Sequence, residues 1–379
     1  MKKICFVAAS PLTLRVFMRN HILCLAEEYE ITAIANFSSD DLINDWLPGV
    51  RLVSMPIERN ISLLTDMIAL LKLVRFFYKE AFDSVHSITP KAGLLSMTAA
   101  RVTRIPIRIH NLSGQIWVTR HGLFRRLLKY IDSITFKNST NLLSDSFSQI
   151  TFLHHEGLVE MEQVEVLGNG SVCGIDPDRF HPCSNSRRIT RDNLEIPESD
   201  FVIIFVGRLN RDKGILDLAQ AFSQLAHYHD DIWLVVLGDC DEDIINDFNN
   251  YCGDALTRVR LLGNKDSPEH YMTAGDILAL PSYRESFGVS IIEGAACGLP
   301  SVASRIVGIT DATIENITGL MHPPGDVEKI RDCFERLYMD SELRLRLGNA
   351  AMKRVQNDFS MQQVSNEFVS YYRRNVGKN

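Results

Sequence analysis

Phe201-Val202-Ile203-Ile204-Phe205-Val206, followed at once by Gly207-Arg208-Leu209-Asn210-Arg211-Asp212-Lys213-Gly214 and then by the amphipathic run Ile215 to Ala226, is the stretch from which the fold can be read. The first six residues are all β-branched or aromatic, the composition of a strand buried on both faces. A glycine turn then hands the chain to a helix, the repeating unit of a parallel, doubly wound sheet. Such sheets bind their ligands beyond the carboxyl ends of the strands, which is where residues 207 to 214 fall. Arg208 and Lys213 stand five apart beside a helix N-terminus and suit an anionic, phosphate-bearing ligand.

The same rhythm continues in both directions. Downstream, strands are expected at Trp233 to Leu237, Val259 to Leu262, Ile277 to Leu280 and Ser301 to Ala303, and helices near 326–338, 341–356 and 361–374 close the chain. Upstream, Ile4 to Ala8, Ile31 to Ala35, Arg51 to Ser54, Ser84 to His86, Ile107 to Ile109 and Leu142 to Leu143 alternate with amphipathic segments near 13–28, 62–79, 90–103, 122–137 and 146–155. Strands alternating with helical patterns of this length are βαβ units. A turn-rich stretch, Asp176 to Asn185 with Pro177 and Pro182, separates the two blocks. The expectation is an α/β protein of two Rossmann-like, doubly wound parallel-sheet domains, over 1–183 and 184–360, with a C-terminal helix, 361–379, returning to the first. The cleft between two such sheets is the default place for chemistry.

Length and composition narrow the function classes. At 379 residues the chain is too long for one small domain, and with 45% apolar and 23% charged residues it is too hydrophobic to be disordered. Eight cysteines without a C-x-x-C pair, several inside apolar runs, read as buried thiols of a reducing compartment. The apolar run after Lys2 and Lys3 stops at Ala9, too short for a signal peptide, and no stretch approaches 18 uninterrupted apolar residues. A cytoplasmic location is expected. The formal charge of −7 conceals an asymmetry: residues 51–137 hold 14 Lys or Arg against 5 Asp or Glu. That excess admits either a polyanionic partner or a set of solvated helix faces.

A second constellation lies at Pro281-Ser282-Tyr283-Arg284-Glu285-Ser286-Phe287-Gly288-Val289-Ser290-Ile291-Ile292-Glu293. The strand ending at Leu280 runs through a loop into a helix expected to begin near Ser286 or Phe287. The amides of Ser286, Phe287, Gly288 and Val289 would then present the positive end of a helix to an anion. Glu285 precedes that helix and Glu293 lies two turns inside it. Taken alone, Glu293 reads better as a carboxylate stabilised by the helix dipole; paired with the first constellation, that reading loses ground.

Taken in order, Gly207-Arg208-Leu209 with Lys213-Gly214, the Glu285 to Glu293 spacing and Cys297-Gly298-Leu299-Pro300 resemble family 4 of the retaining GT-B glycosyltransferases. Val166-Leu167-Gly168-Asn169-Gly170 with Gly174-Ile175-Asp176 and Arg179-Phe180 is similar to that family's interdomain segment, and Thr318-Gly319-Leu320 with Pro324-Gly325-Asp326 to its closing motif. The resemblance implies that Gly207, Arg208 and Lys213 hold the donor diphosphate, that Glu293 receives the ribose hydroxyls, and that Glu285 binds hydroxyls of the transferred sugar. Leu262, Gly263 and Asn264 would lie at the base, and the amides of 286–289 would complete the pocket. Arg208, Lys213 and Glu285 are the expected catalytic residues. No metal or other cofactor is expected, because two cations and a helix terminus can stabilise the departing diphosphate.

The N-terminal half departs from the family pattern. Ser10-Pro11-Leu12-Thr13 stands where the family has a glycine-rich loop, and the reading of His110-Asn111-Leu112-Ser113-Gly114 puts Ser113 where a histidine is common. His110 is then either a contact to sugar or acceptor or a satisfied structural histidine. His86, ahead of Thr89-Pro90-Lys91, is open to the same two readings. Ser10, Thr13, His86, Lys91, His110 and Ser113 form the candidate acceptor set. Leu70 to Lys79 and Leu123 to Lys129 mix cations with large apolar residues, the composition of interfacial helices meeting anionic lipid or of core-facing helices with a solvated basic face.

Function is accordingly expected to be retaining transfer of a hexose or acetamido sugar from a nucleotide diphosphate, a UDP-sugar foremost, to a lipid-diphosphate-linked saccharide of a bacterial surface polysaccharide. The enzyme would sit peripherally on the cytoplasmic face of an anionic inner membrane and bind no nucleic acid. The competing readings are a nucleotide-sugar epimerase or hydrolase on the same fold, marked by turnover without acceptor, and a non-catalytic nucleotide-sugar-binding subunit, marked by binding without turnover.

Overall fold

The computed structural model describes residues 1–43, 46–58, 62–240 and 244–377. The chain divides into two compact units, Met1–Gly174 with Met361–Asn379, and Ile175–Ser360. In the first, strands β1 (Lys3–Val7), β2 (Glu30–Ala35), β3 (Arg51–Ser54), β4 (Ser84–Ser87), β5 (Ile107–Leu112), β6 (Asn141–Ser144) and β7 (Val164–Val166) form one sheet in the order β3-β2-β1-β4-β5-β6-β7. In the second, β8 (Phe201–Val206), β9 (Ile232–Leu237), β10 (Val259–Leu261), β11 (Ile277–Leu280), β12 (Ser301–Ser304) and β13 (Gly319–His322) form another in the order β10-β9-β8-β11-β12-β13. Every pairing between these strands is parallel. Both sheets therefore reverse their strand order beside the first strand, the arrangement expected from the βαβ rhythm.

The alternation of side chains along β1 shows how the first sheet is covered on both faces. Ile4, Phe6 and Ala8 enter one core with Leu14, Met18 and Ile22, whereas Cys5 and Val7 enter the other with Leu73, Phe77 and Ala92. The C-terminal helix Met361–Asn375 belongs to the first of these cores: Phe368, Val369, Tyr371 and Tyr372 pack there with Phe6. Their spacing of three and four residues places them on one helix face.

Two edge strands, β7 and β13, are not marked in the sequence pattern. β7, Val-Glu-Val, alternates as a strand does but is too short at three residues to stand out, and β13, Gly-Leu-Met-His, holds no β-branched residue and lacks the composition that marks a strand. The first boundary falls at Gly174/Ile175 and not at 183, because Ile175 and Phe180 already lie in the core of the second unit. Part of the expected linker is also helical, over Ser184–Asn193. Its buried Arg191 pairs with Asp276 at 2.9 Å and donates to the carbonyls of Pro197, Glu198, Asp200 and Ala274, which fastens that helix to the second unit.

Candidate active site

In the second unit the strand order reverses between β8 and β11, so the loops leaving these two strands open side by side at the carboxyl edge of the sheet. They interlock. Gly214 has φ +66°, and a Cβ there would overlap the Pro281 carbonyl, so the β8 loop can approach the β11 loop only with glycine at this position. The Tyr283 amide donates to the Asp212 carbonyl at 2.8 Å, and the Arg284 guanidinium donates to the Asp212 carboxylate at 3.1 and 3.3 Å. Asn210 caps the short turn Arg211–Lys213 by accepting the Lys213 amide at 3.0 Å.

This framework brings two of the expected catalytic groups into direct contact. Lys213 Nζ lies 2.5 Å from Glu285 Oε1, and the same oxygen accepts a hydrogen bond from Ser282 Oγ at 2.9 Å. Both side chains are largely shielded, with 23% and 11% of their surface exposed, so the pair is less screened than one in open water. Arg208 is exposed on the same loop.

The neighbouring strand ends carry the other expected donor residues. A Cβ on Gly238, just past β9, would overlap the carbonyl of Gly207, which explains the glycine there. The Gly238 amide donates to the Gly263 carbonyl at 2.9 Å. Leu262 packs partly on the core, whereas Gly263 and Asn264 are exposed. The helix expected near Ser286 begins at Val289, with Gly288 at its N-cap. The amides of 286–288 thus lie in the loop leading into the helix, and only that of Val289 belongs to its first turn. Phe287 contributes no side chain to a pocket: its ring is buried edge-on against Phe359 at 5.3 Å.

Glu293 lies within the helix Val289–Ala296. Burial pushes its carboxyl up to about 7; Arg179 opposes that shift and Glu269 adds to it. Arg179 itself pairs with Glu269 at 2.9 Å. Glu269 carries no signal in the sequence, since it sits in the five-residue helix Pro268–Met272 outside any motif. The folded protein thus keeps a proton on Glu293 between the ordinary 4.5 and about 7, where the unfolded chain releases it, so this carboxyl's contribution to stability falls as pH rises through that window. Glu293→Gln should raise unfolding free energy at pH 8 by up to about 3 kcal/mol and leave it nearly unchanged at pH 4. Urea unfolding at the two pH values measures this; an equal change at both would place the carboxyl in an ordinary environment.

The candidate acceptor residues all belong to the first unit, and the structure separates them into two groups. Ser10 caps the short helix Pro11–Thr13 through a hydrogen bond from the Leu12 amide at 3.3 Å, and Thr13 and Ser113 are half-buried. Lys91 pairs with Asp66 at 2.5 Å. The histidines, in contrast, are interior. His86 is enclosed, stacked on Phe6 at 5.3 Å, with its Nδ1 2.7 Å from the Tyr372 hydroxyl. His110 is buried with Nδ1 2.8 Å from Ser87 Oγ. Neither imidazole is available to an acceptor; both serve packing, because β4 and β5 are central strands covered on both faces. His21, which nothing in the sequence singles out, is a third: it stacks on Phe368 at 4.5 Å and bonds Ser365 and the Val172 carbonyl.

Comparison with known proteins places these features in a family. Residues 186–354 match the family described as glycosyl transferases group 1. The chain is 31% identical over 321 residues to the capsular polysaccharide biosynthesis glycosyltransferase CapM of Staphylococcus aureus, covering 84% of this chain and 83% of that protein. It is 28% identical over 370 residues to an Escherichia coli UDP-Gal:α-D-GlcNAc-diphosphoundecaprenol α-1,3-galactosyltransferase, covering 95% and 93%. Among solved structures, Anabaena HepE in complex with UDP-glucose superposes with a TM-score of 0.81 at 18% identity, over 99% of this chain and all of that one, which is a likeness of fold.

Proposed function

The chain belongs to the glycosyl transferases group 1 and is a glycosyltransferase; from that premise we propose that it moves a sugar from a UDP-hexose or UDP-acetamido donor, with retention, to a lipid-diphosphate-linked saccharide in surface-polysaccharide synthesis. The observation that carries this reading is the Lys213–Glu285 contact at the point where the strand order reverses, with Arg208 on the same loop. Two cations suit a diphosphate, and a carboxylate beside them suits sugar hydroxyls. The relatives point the same way: one is named for capsule synthesis, another for a UDP-galactose donor and a diphosphoundecaprenol-linked acceptor.

In the proposed reaction Lys213 leaves Glu285 for the donor diphosphate, and Glu285 becomes free to accept hydrogen bonds from the sugar. The bond from the anomeric carbon to the diphosphate oxygen breaks while the acceptor hydroxyl bonds to that carbon on the same face, and the departing phosphate takes the acceptor's proton. Arg208 and Lys213 stabilise the charge that develops on the leaving group, and the reaction requires no divalent cation. Glu293 receives the ribose hydroxyls; it must be ionised to accept both, so UDP affinity should strengthen as pH rises through about 7. A membrane-borne acceptor brings the enzyme to the cytoplasmic face of the membrane.

The test is thermal unfolding in EDTA with UDP, GDP, ADP or CMP, followed by sugar transfer with and without a lipid-diphosphate acceptor. UDP at about a hundred times its Kd should stabilise the protein by about 2.7 kcal/mol. Arg208→Ala should abolish the shift, and transfer should need the acceptor. No shift with any nucleotide, or sugar release independent of acceptor, would overturn the proposal.

A further inference from the structure

The helix Leu63–Glu80 buries Ala69, Leu73 and Phe77 in the first unit's core, yet its outward face is also apolar for two turns. Leu63, Leu64, Met67, Ile68 and Leu71 are 50–83% exposed, and Lys72, Arg75 and Lys79 follow on the same side. Positions 64, 68, 71, 75 and 78 form one stripe by their spacing of three and four. Such a contiguous apolar patch marks an interaction surface, unlike singly scattered exposed leucines. The helix Pro90–Val102 packs beside this one, and Gly122–Asn138 beyond it, where Leu123, Phe124, Leu127 and Tyr130 are exposed next to Arg126.

Charge alone does not describe this face. Arg125 and Lys129 both bond Glu156, at 2.8 and 2.7 Å, and lie over the Trp117 ring. Arg51 pairs with Glu80 and Lys91 with Asp66. Lys72, Arg75, Lys79 and Arg126 make no ion pair among the described residues and stay directed to solvent. Crossover helices of a parallel sheet run against its strands, so the apolar halves of both helices begin at the carboxyl edge, where Ser10 and Ser113 also lie.

We infer that this face docks on an anionic bilayer, with Leu63, Leu64, Met67, Ile68 and Leu71 entering the acyl boundary and Lys72, Arg75, Lys79 and Arg126 meeting lipid phosphates. The passage from apolar to cationic along one helix face matches the change from acyl chain to headgroup across a leaflet. No helix among the described residues is long and apolar enough to cross a membrane, so docking would be to one leaflet. The inference rests on the proposed membrane-borne acceptor, which docking would bring to the carboxyl edge of the sheet.

The test uses the full-length protein with vesicles of phosphatidylglycerol and phosphatidylcholine, and of phosphatidylcholine alone. The wild type should sediment with the anionic vesicles. Leu64→Glu/Ile68→Glu/Leu71→Glu should lower that binding at least about tenfold, and Lys72→Glu/Arg75→Glu/Lys79→Glu should make it equal to binding on phosphatidylcholine. The control Leu345→Glu, at an exposed position of the second unit, should bind as wild type. With a water-soluble short-chain acceptor the apolar triple variant should transfer sugar at the wild-type rate, and with the vesicle-borne acceptor at least about tenfold more slowly. Undiminished vesicle binding by that variant would overturn the docking surface, as would a wild-type dimer that it dissolves, which would assign the patch to a second copy. Loss of transfer to both acceptors by the wild type would overturn the transferase reading, while the vesicle measurement would still decide the surface.

Discussion

Lys213→Ala lowers turnover at saturating donor by about 10²- to 10³-fold, the cost of removing one preorganised group from a developing negative charge. The expectation follows from how little else this side chain does. Its ammonium contacts Glu285, whereas the backbone at 213 is held by the Asn210 cap and the adjoining Gly214 by its fit against Pro281. Removing the amine therefore leaves the interlocked loops in place, and Glu285 keeps the Ser282 hydroxyl. Donor affinity should fall less than turnover, because the charge on the leaving diphosphate grows in the transition state. Steady-state kinetics of the variant, with its thermal midpoint measured alongside, check this. Wild-type turnover would remove Lys213 from the mechanism, and a collapse of the thermal midpoint would make it a structural residue.

Acidification below about pH 6.5 should destabilise the first unit through its buried histidines. Burial lowers His21 to about 4, His86 to about 3 and His110 to about 4. Each stays neutral in the folded state while the unfolded chain takes up a proton below about 6.5, so stability is full above that pH and is lost as pH falls towards 4. His86 accounts for up to about 5 kcal/mol and the other two for up to about 3 kcal/mol each. Those losses are comparable with the whole stability of an ordinary domain, about 5–15 kcal/mol. Around His86 stand Phe6, Phe368 and Tyr372, and besides burial the charges of His110 and His21 oppose an imidazolium there. Urea unfolding followed by circular dichroism from pH 7.5 to 4.5 should show the decline, and His86→Gln should flatten it although it lowers stability at pH 7.5. An unchanged slope in that variant would mean that His86 is protonated in the folded state.

How much of the site was legible depended on where each signal resides. Arg208, Lys213, Glu285 and Glu293 sit in loops and a helix immediately after strand ends, where a run of apolar residues stops at a fixed place and the next residues reach the sheet's carboxyl edge. Asp212 and Arg284, which bind those two loops together, are 72 residues apart, and no local pattern links them. The same holds for Arg179 and Glu269, which shape the environment of Glu293 from two other segments. Phe287 divides the two levels: the motif points to its backbone amide, and only the tertiary structure shows that its ring is buried against Phe359.

The sequence by itself determined the two parallel sheets apart from their edge strands β7 and β13, and the loops proposed to carry the chemistry, because hydrophobic periodicity and glycine turns act over neighbouring residues. Tertiary structure alone decided which polar residues are reachable. His86 and His110 lie on strands and look like ligands for an acceptor until helices from distant parts of the chain cover them; β4 is closed over by Phe368 and Tyr372 of the C-terminal helix. It also decided that two of the cations near Leu123 are tied to Glu156 while the apolar residues before Leu71 face outward. An amphipathic pattern tells that a helix has two faces, but which one meets the core depends on the shape of the sheet beneath it, and that shape is assembled from contacts far apart in sequence.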